Sequence, residues 1–278
     1  MRVSSRILEH GVDNPQGGLI ASVTNRRYVC LRISGQHSPP VGPAHAYKSS
    51  MSSPCRKASS HHSEQGLLNL PSSPVVTYDT SGMVFAVALN KYSRVLMYDA
   101  KNFDKQPFTS TALNDPTLAK ISFPPRPLPI TSMEFSSNGS YLLVGTAGHA
   151  HYILDAFGAK LMAKLEGHKG LDPSQPLGAP PSRRLSGEEV CFTPDSKYVL
   201  SGSEDGKIYV WDVGAQPLKP IEEGENREPE VLRPVAVLEG HAGPSRCVRF
   251  NPRFVMMATA SNDLVRLFPH LDMIWLTD

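Results

Sequence analysis

A chain of 278 residues with a formal net charge of +2 is nearly balanced, so its bulk electrostatics call for neither nucleic acid nor an anionic membrane. The length suits two average domains or one large all-β domain, and 40% apolar residues are enough to bury a core. Twenty-five prolines, about 9% against a usual level of roughly 5%, work against long helices. No stretch approaches the roughly 18 apolar residues that cross a bilayer, and the first turns of the chain lack the apolar core of a signal peptide. The expectation is a soluble intracellular protein. Cys30, Cys55, Cys191 and Cys247 show no Cys-x-x-Cys spacing, which supports neither a zinc knuckle nor a redox dithiol, and no cofactor is implied.

In chain order, Met1 to Glu64 holds one strand-like run, Arg27 to Ile33, in a background of Ser, Pro, His and Gly. Such a background buries too little apolar surface to offset the entropy of ordering it, so residues 1–64 are expected to be disordered. His61-His62 reads as a solvated pair. From Gln65 the character changes, and residues 65–278 form the expected folded region. Gly66-Leu67-Leu68-Asn69-Leu70 has the pattern of the outer strand of an antiparallel unit whose inner strands should precede it. Val75 to Asp99 and Ile130 to Asp155 supply two further units. His149 and His151 alternate along a strand, but with no third ligand in reach a structural role outweighs a metal site.

The clearest unit is Cys191 to Val213. An apolar run closes at Thr193-Pro194-Asp195-Ser196, a half-buried strand follows from Tyr198 to Ser203, and Glu204-Asp205-Gly206 supplies a tight turn in which Gly tolerates positive φ. The returning strand, Ile208 to Trp211, ends in Trp-Asp. Aligned on the aromatic that closes the first strand, copies fall at Tyr78, Phe135, Phe192 and Phe250, in steps of about 57 residues against the roughly 40 to 45 of a WD40 repeat. The excess lies in Pro-rich connections at Leu171 to Arg184 and Gln216 to Arg233. Antiparallel strands with a Gly-His opening and a Trp-Asp close resemble WD40 repeats, which implies an all-β WD40 β-propeller with about four blades present of an expected seven.

The resemblance also bears on residues that would otherwise suggest a catalytic triad. In WD40 repeats the His of Gly-His, a strand Ser or Thr, the hairpin Asp and the Trp form a buried hydrogen-bonded chain. His168, Ser201, Asp205 and Trp211 fit that tetrad, and His241, Thr259 and Asp263 fit it in the next repeat, where Phe268 replaces Trp. Nothing resembles a nucleophile elbow, so no catalytic residue is expected.

Beyond generic features, the phrases Phe103-Asp104-Lys105-Gln106-Pro107-Phe108, Leu154-Asp155-Ala156-Phe157, Gly202-Ser203-Glu204-Asp205-Gly206 and Phe250-Asn251-Pro252-Arg253-Phe254 resemble the WD-repeat subunit of COMPASS, the histone lysine methyltransferase complex. The resemblance covers about Gln65 to Pro269 and the family's C-terminal blades, so the chain reads as an N-terminally truncated copy. It implies a non-catalytic nuclear scaffold that holds subunits of the methyltransferase complex, couples them to the phosphorylated tail of RNA polymerase II and takes part in messenger-RNA 3′-end processing. No direct nucleic-acid or membrane contact is implied. The alternative is a generic WD40 adaptor, such as a ubiquitin-ligase substrate receptor. Lys91, Arg126, Lys169 and Arg246, in connections at one end of the blades, are the candidate partner-binding residues. Arg183-Arg184-Leu185-Ser186 makes Ser186 the candidate phosphorylation site, since a phosphate would add about two negative charges to a basic loop.

Overall fold

The computed structural model describes the backbone of residues 11–13, 19–24, 28–33 and 65–69, and then residues 74–269 apart from 104–105, 114, 116–129, 172–186, 223–224, 226, 252, 254–255 and 263–264. Among these residues the regular structure is five sheets of strands and a single 3-10 turn, Asn90–Tyr92. The all-β propeller expectation holds, with one more blade than the four copies read from the repeat.

The additional blade combines β1 (Gly11–Asp13), β2 (Leu19–Thr24), β3 (Tyr28–Ile33) and β4 (Gln65–Asn69), paired in that order and antiparallel throughout. Gln65–Asn69 is therefore an outer strand, as its pattern suggested. Its inner strands stand inside the segment expected to be disordered, and this corrects that expectation for residues 11–13, 19–24 and 28–33. The strand-like run at Arg27 to Ile33 is one of them, and composition averaged over 64 residues hid a second, Leu19 to Thr24, that is rich in the apolar and β-branched residues strands favour. His61-His62 lies outside the described residues.

The second blade comprises β5 (Pro74–Tyr78), β6 (Val84–Leu89), β7 (Arg94–Asp99) and β8 (Thr109–Ala112). The third contains β9 (Ile130–Phe135), β10 (Tyr141–Thr146), β11 (Ala150–Asp155) and β12 (Leu161–Glu166). The fourth is β13 (Val190–Phe192), β14 (Tyr198–Gly202), β15 (Ile208–Asp212) and β17 (Ala236–Leu238), and the fifth β18 (Cys247–Asn251), β19 (Met256–Ala260) and β20 (Val265–Pro269). Neighbouring first strands touch in series, β1 on β5, β5 on β9, β9 on β13 and β13 on β18, which sets the blades side by side around an inner rim.

Side-chain alternation explains why these runs are strands although several are apolar throughout. On β6, Phe85, Val87 and Leu89 enter one core while Ala86 and Ala88 enter the next. On β11, Tyr152 and Leu154 face the second blade and Ile153 faces the fourth. On β15, Tyr209 and Trp211 divide from Ile208 and Val210 in the same way. A period of two thus feeds two cores at once, one on each face of the sheet.

The turns after the aromatics at Tyr78, Phe135 and Phe192 share one chemistry. A side-chain oxygen of Asp79, Ser136 or Thr193 accepts the N–H of Val84 (2.9 Å), Tyr141 (2.9 Å) or Tyr198 (3.1 Å), five residues on. Gly82 and Gly139 take positive φ there, and Ser196 does so in the fourth blade at φ 61°. The Oγ of Ser196 accepts the N–H of Asn138 at 3.1 Å, so that turn is tied to the one on the neighbouring blade.

The Pro-rich connection at Gln216 to Arg233 is a built element. Within it β16 (Glu230–Leu232) pairs parallel to β12 and gives the third blade a fifth strand. Leu218 and Leu232 pack on the core around Trp211 and Val213, and the N–H of Ile221 donates to Leu161 O at 2.9 Å. Lys160 pairs with Glu222, and Arg233 with Glu166 at 3.3 Å. The insert therefore straps the third blade to the fourth. Leu218→Ala is expected to lower unfolding stability by about 2 to 4 kcal/mol. Chemical denaturation measures it, and an unchanged midpoint would show the strap to be peripheral.

Candidate functional site

The residues expected to form the fourth-blade tetrad come together, but in a different pattern. Ser201 Oγ meets His151 Nε2 at 2.8 Å, and His151 comes from β11 of the preceding blade. His168, expected at Ser201, turns its Nε2 to the carbonyl of Gly148 at 3.1 Å. Trp211 donates its indole N–H to Glu166 O at 3.0 Å. Asp205 receives the Tyr209 hydroxyl at 2.9 Å and the N–H of Lys207 at 3.2 Å. The single chain from His168 through Ser201 and Asp205 to Trp211 is replaced by four separate links, two of which cross between blades.

Tautomers follow from the partners. Thr146 N–H donates to His151 Nδ1 at 3.1 Å, so the proton sits on Nε2 and is donated to Ser201, whose hydroxyl donates onward to Gly202 O at 2.8 Å. His168 must likewise carry its proton on Nε2, and its Nδ1 finds no partner among the described residues. The two imidazoles stack with centroids 4.2 Å apart and planes 13° apart, and both meet the Trp211 ring edge-on. Protonating His151 would aim an N–H at the N–H of Thr146. Burial, then the neighbouring His168, holds its pKa well below the usual 6.5. Burial lowers His168 to about 4.

Around Asp205 the balance runs the other way. Burial alone would raise its pKa, but hydrogen bonds from Ser203, Tyr209 and the N–H of Lys207 outweigh it and keep the carboxyl below its ordinary range. Gly206 closes the hairpin at φ 81°, and a Cβ there would approach within 2.0 Å of the His241 carbonyl oxygen, so only Gly fits. In the fifth blade His241 Nε2 and Thr259 Oγ1 stand 2.9 Å apart, the expected pair; Asp263 lies outside the described residues, and Phe268 packs beside Met257 in the adjoining core.

A second polar centre escaped the repeat pattern. Lys164 on β12 is buried with its Nζ 2.7 Å from Asp115 and 2.9 Å from Glu166, and the Tyr152 hydroxyl donates to Asp115 at 2.9 Å. Burial, the largest single effect, would lower the Lys164 pKa, but its bonds to Asp115 and Glu166 together raise it. Within a propeller that expects an apolar or neutral residue on an outer strand, no local signal marks Lys164 as paired with a residue from the connection before β9. At the inner rim, Arg249 lies 3.1 Å from Glu188 and 3.6 Å from Glu134, and burial pushes Glu134 up to about 7.

Neither thiol described is a nucleophile. Cys191 is buried and its pKa is raised by burial, and burial pushes Cys247 up to about 11. Ser201 is fully buried and already committed to two hydrogen bonds, so no substrate reaches its hydroxyl.

Of the candidate partner-binding residues, Lys91 is exposed in the 3-10 turn with its ammonium 5.3 Å from the Tyr92 ring centroid. Lys169 is exposed, and its backbone is fastened to the hairpin by Ser203 and Glu204. Arg246 bonds Asn262 through Nε at 3.0 Å. These three connections share one end of the antiparallel blades. Arg126 and Ser186 lie outside the described residues.

Five antiparallel sheets arranged on their first strands, with this repeat chemistry, make the chain a WD40-repeat β-propeller protein. It matches the WD domain, G-beta repeat family over residues 188–212 and 232–268. It is 33% identical over 205 residues, 73% of this chain and 56% of the relative, to an uncharacterized WD repeat-containing protein of Schizosaccharomyces pombe. It is 29% identical over 206 residues (74% and 53%) to WD repeat-containing protein 82 of Drosophila melanogaster, and 30% identical over 187 residues (66% and 49%) to the COMPASS component SWD2 of Saccharomyces cerevisiae. The chain spans about half the length of the curated relatives it matches.

His151→Ala is expected to strand the N–H of Thr146 and one valence of Ser201, at about 1 to 3 kcal/mol for each group left unsatisfied. Asp205→Ala, at a more open position, should cost less. Thermal melts of the two variants rank them, and a larger loss for Asp205→Ala would return the weight to the hairpin.

The histidines also set a pH window. At pH 7 both are neutral whether the chain is folded or not. As pH falls below 6.5 the unfolded chain takes up the proton first, so stability declines down to about 4, where folded His168 also titrates. For His168 alone the loss is about 3 kcal/mol. His168→Gln keeps a donor toward Gly148 and should flatten the slope of stability between pH 6.5 and 4; an unchanged slope would show that other groups govern it.

Proposed function

We propose that the chain is a Swd2-type WD40 subunit, a non-catalytic scaffold of a Set1/COMPASS-type histone methyltransferase complex that works in the nucleus. The observation that carries this reading is the 30% identity to the COMPASS component SWD2, over 187 residues and 66% of the chain. A scaffold role agrees with the chemistry of the site, where His151 and Ser201 are occupied in joining two blades and Asp205 in holding its own hairpin. The phosphorylated tail of RNA polymerase II and the 3′-end processing machinery are the further partners proposed. Lys91, Lys169 and Arg246, at one end of the blades, are the residues proposed to meet acidic or phosphorylated segments; Arg126, the fourth candidate, lies outside the described residues.

Affinity-tagged chain co-expressed with the subunits of a Set1-type methyltransferase complex is expected to co-purify with them through a sizing column. Recovery of the tagged chain alone, under conditions in which the other subunits assemble, would overturn the assignment.

A further inference from the structure

The strap and the outer strand of the fourth blade form one extended rim. From Val231 to Glu239 exposure alternates at every residue, with Leu232, Pro234, Ala236 and Leu238 turned inward. Leu232 packs on the core of the third and fourth blades, and Ala236 and Leu238 on that of the fourth and fifth. Outward stand Val231 at 43%, Val235 at 49% and Val237 at 45%, with Arg233 between them.

Both strands of this rim are the last in their sheets: β16 is bonded to β12 only, and β17 to β15 only. The rim therefore carries a row of backbone groups with no strand beside it among the described residues. An edge that is extended, alternating and β-branched on its exposed face invites another strand. The comparison with β8, also an outer strand, sharpens the point. Its sequence is Thr-Ser-Thr-Ala, and no large apolar side chain stands on it.

Charge selects the occupant. Residues 219–239 contain six Glu against one Lys and two Arg, a net charge of −3 in a chain whose total is +2. Glu230 is exposed immediately before the valines; Glu225 and Glu239 are exposed as well, paired with Arg227 at 3.7 Å and Lys207 at 2.9 Å. We infer that the rim from Glu230 to Glu239 is a strand-addition site for an extended segment of a partner protein, with β-branched residues at alternate positions and Lys or Arg at its flank. The backbone edge supplies affinity, the valines read the alternating side chains, and Glu230, within the net negative charge of the insert, reads the basic flank. This rests on the reading of the chain as a docking scaffold and adds the edge through which one partner is held.

The probe is a fluorescein-labelled peptide of three lysines followed by four Val-Thr dipeptides, titrated with the full chain and followed by anisotropy. Binding is expected to saturate, to weaken with added salt, and to drop at least tenfold in the double variant Val231→Lys, Val237→Lys; both positions are exposed, and a thermal melt checks that the variant folds. A peptide with alternate amides methylated should not bind, because it lacks the donors a strand needs. Equal binding by the variant, no binding by the native chain, or a native dimer in sedimentation that the double variant abolishes would each overturn the proposal, the last by making a second copy the occupant. If the double variant still co-purifies with every methyltransferase-complex subunit, this edge is not where the complex docks although the scaffold reading stands; if the native chain captures none, the scaffold reading itself fails.

Discussion

The central strands of the second, third and fourth blades are buried on both faces at once. A sheet in a sandwich has one dry face and one wet face, so its strands alternate apolar and polar residues. In a ring of blades every sheet lies between two others, and Phe85, Val87 and Leu89 on one face of β6 need partners as much as Ala86 and Ala88 on the other. Volume is conserved across that strand: large residues fill the wider space and alanines the narrower one. The consequence is cooperative. Removing a residue from β11 loosens the packing between the second and third blades or between the third and fourth, depending only on whether its position is odd or even.

A polar group placed in such a strand has no water on either side, so it needs a protein partner, and the nearest are on the adjacent blade. This accounts for His151, which satisfies Ser201 across the boundary, and for Lys164, which draws Asp115 in from the connection before β9. The links are directional where the apolar cores are not. They fix the register of one blade against the next, a role in which a buried ionic group contributes specificity more than net stability.

The repeat phrase was legible because turn chemistry is local. Asp79, Ser136 and Thr193 each bond a residue five further on, and Gly206 answers to its own φ; such features are decided within a few residues and survive divergence elsewhere. The His151 link was not legible, because His151 and Ser201 are 50 residues apart and belong to different repeats. A pattern read within one repeat assigns Ser201 to the nearest Gly-His, and here the ring geometry gives it to the strand next door. In the first blade the run at Tyr28–Ile33 was legible, but Gly11–Asp13 and Leu19–Thr24 were missed for a different reason: short runs diluted by a polar background fall below any composition threshold, and only their pairing in series onto Tyr28–Ile33 defines them. The strap was read as a loop because prolines at 217, 220, 229 and 234 bracket its strand. Proline forbids a donor at its own position and permits an edge, and β16 is an edge.

These constraints leave function to the periphery. The interior of each described blade is committed to packing, the serine and both described thiols are buried or hold their protons, and the charged groups inside are paired. What remains free to vary without loss of fold is the set of connections at the two ends and the outermost strands. An insert there is tolerated because closing a longer loop adds only about 0.6 kcal/mol per doubling of its length. Once an insert is present, its apolar residues can be drawn onto the nearest exposed strand edge, as Leu218, Ile221 and Leu232 are on the third blade. That covers one edge and creates another further out, with Val231 and Glu230 on it in place of the β12 backbone. A propeller of this kind can therefore exchange edges at its circumference while the double-faced strands within stay unchanged.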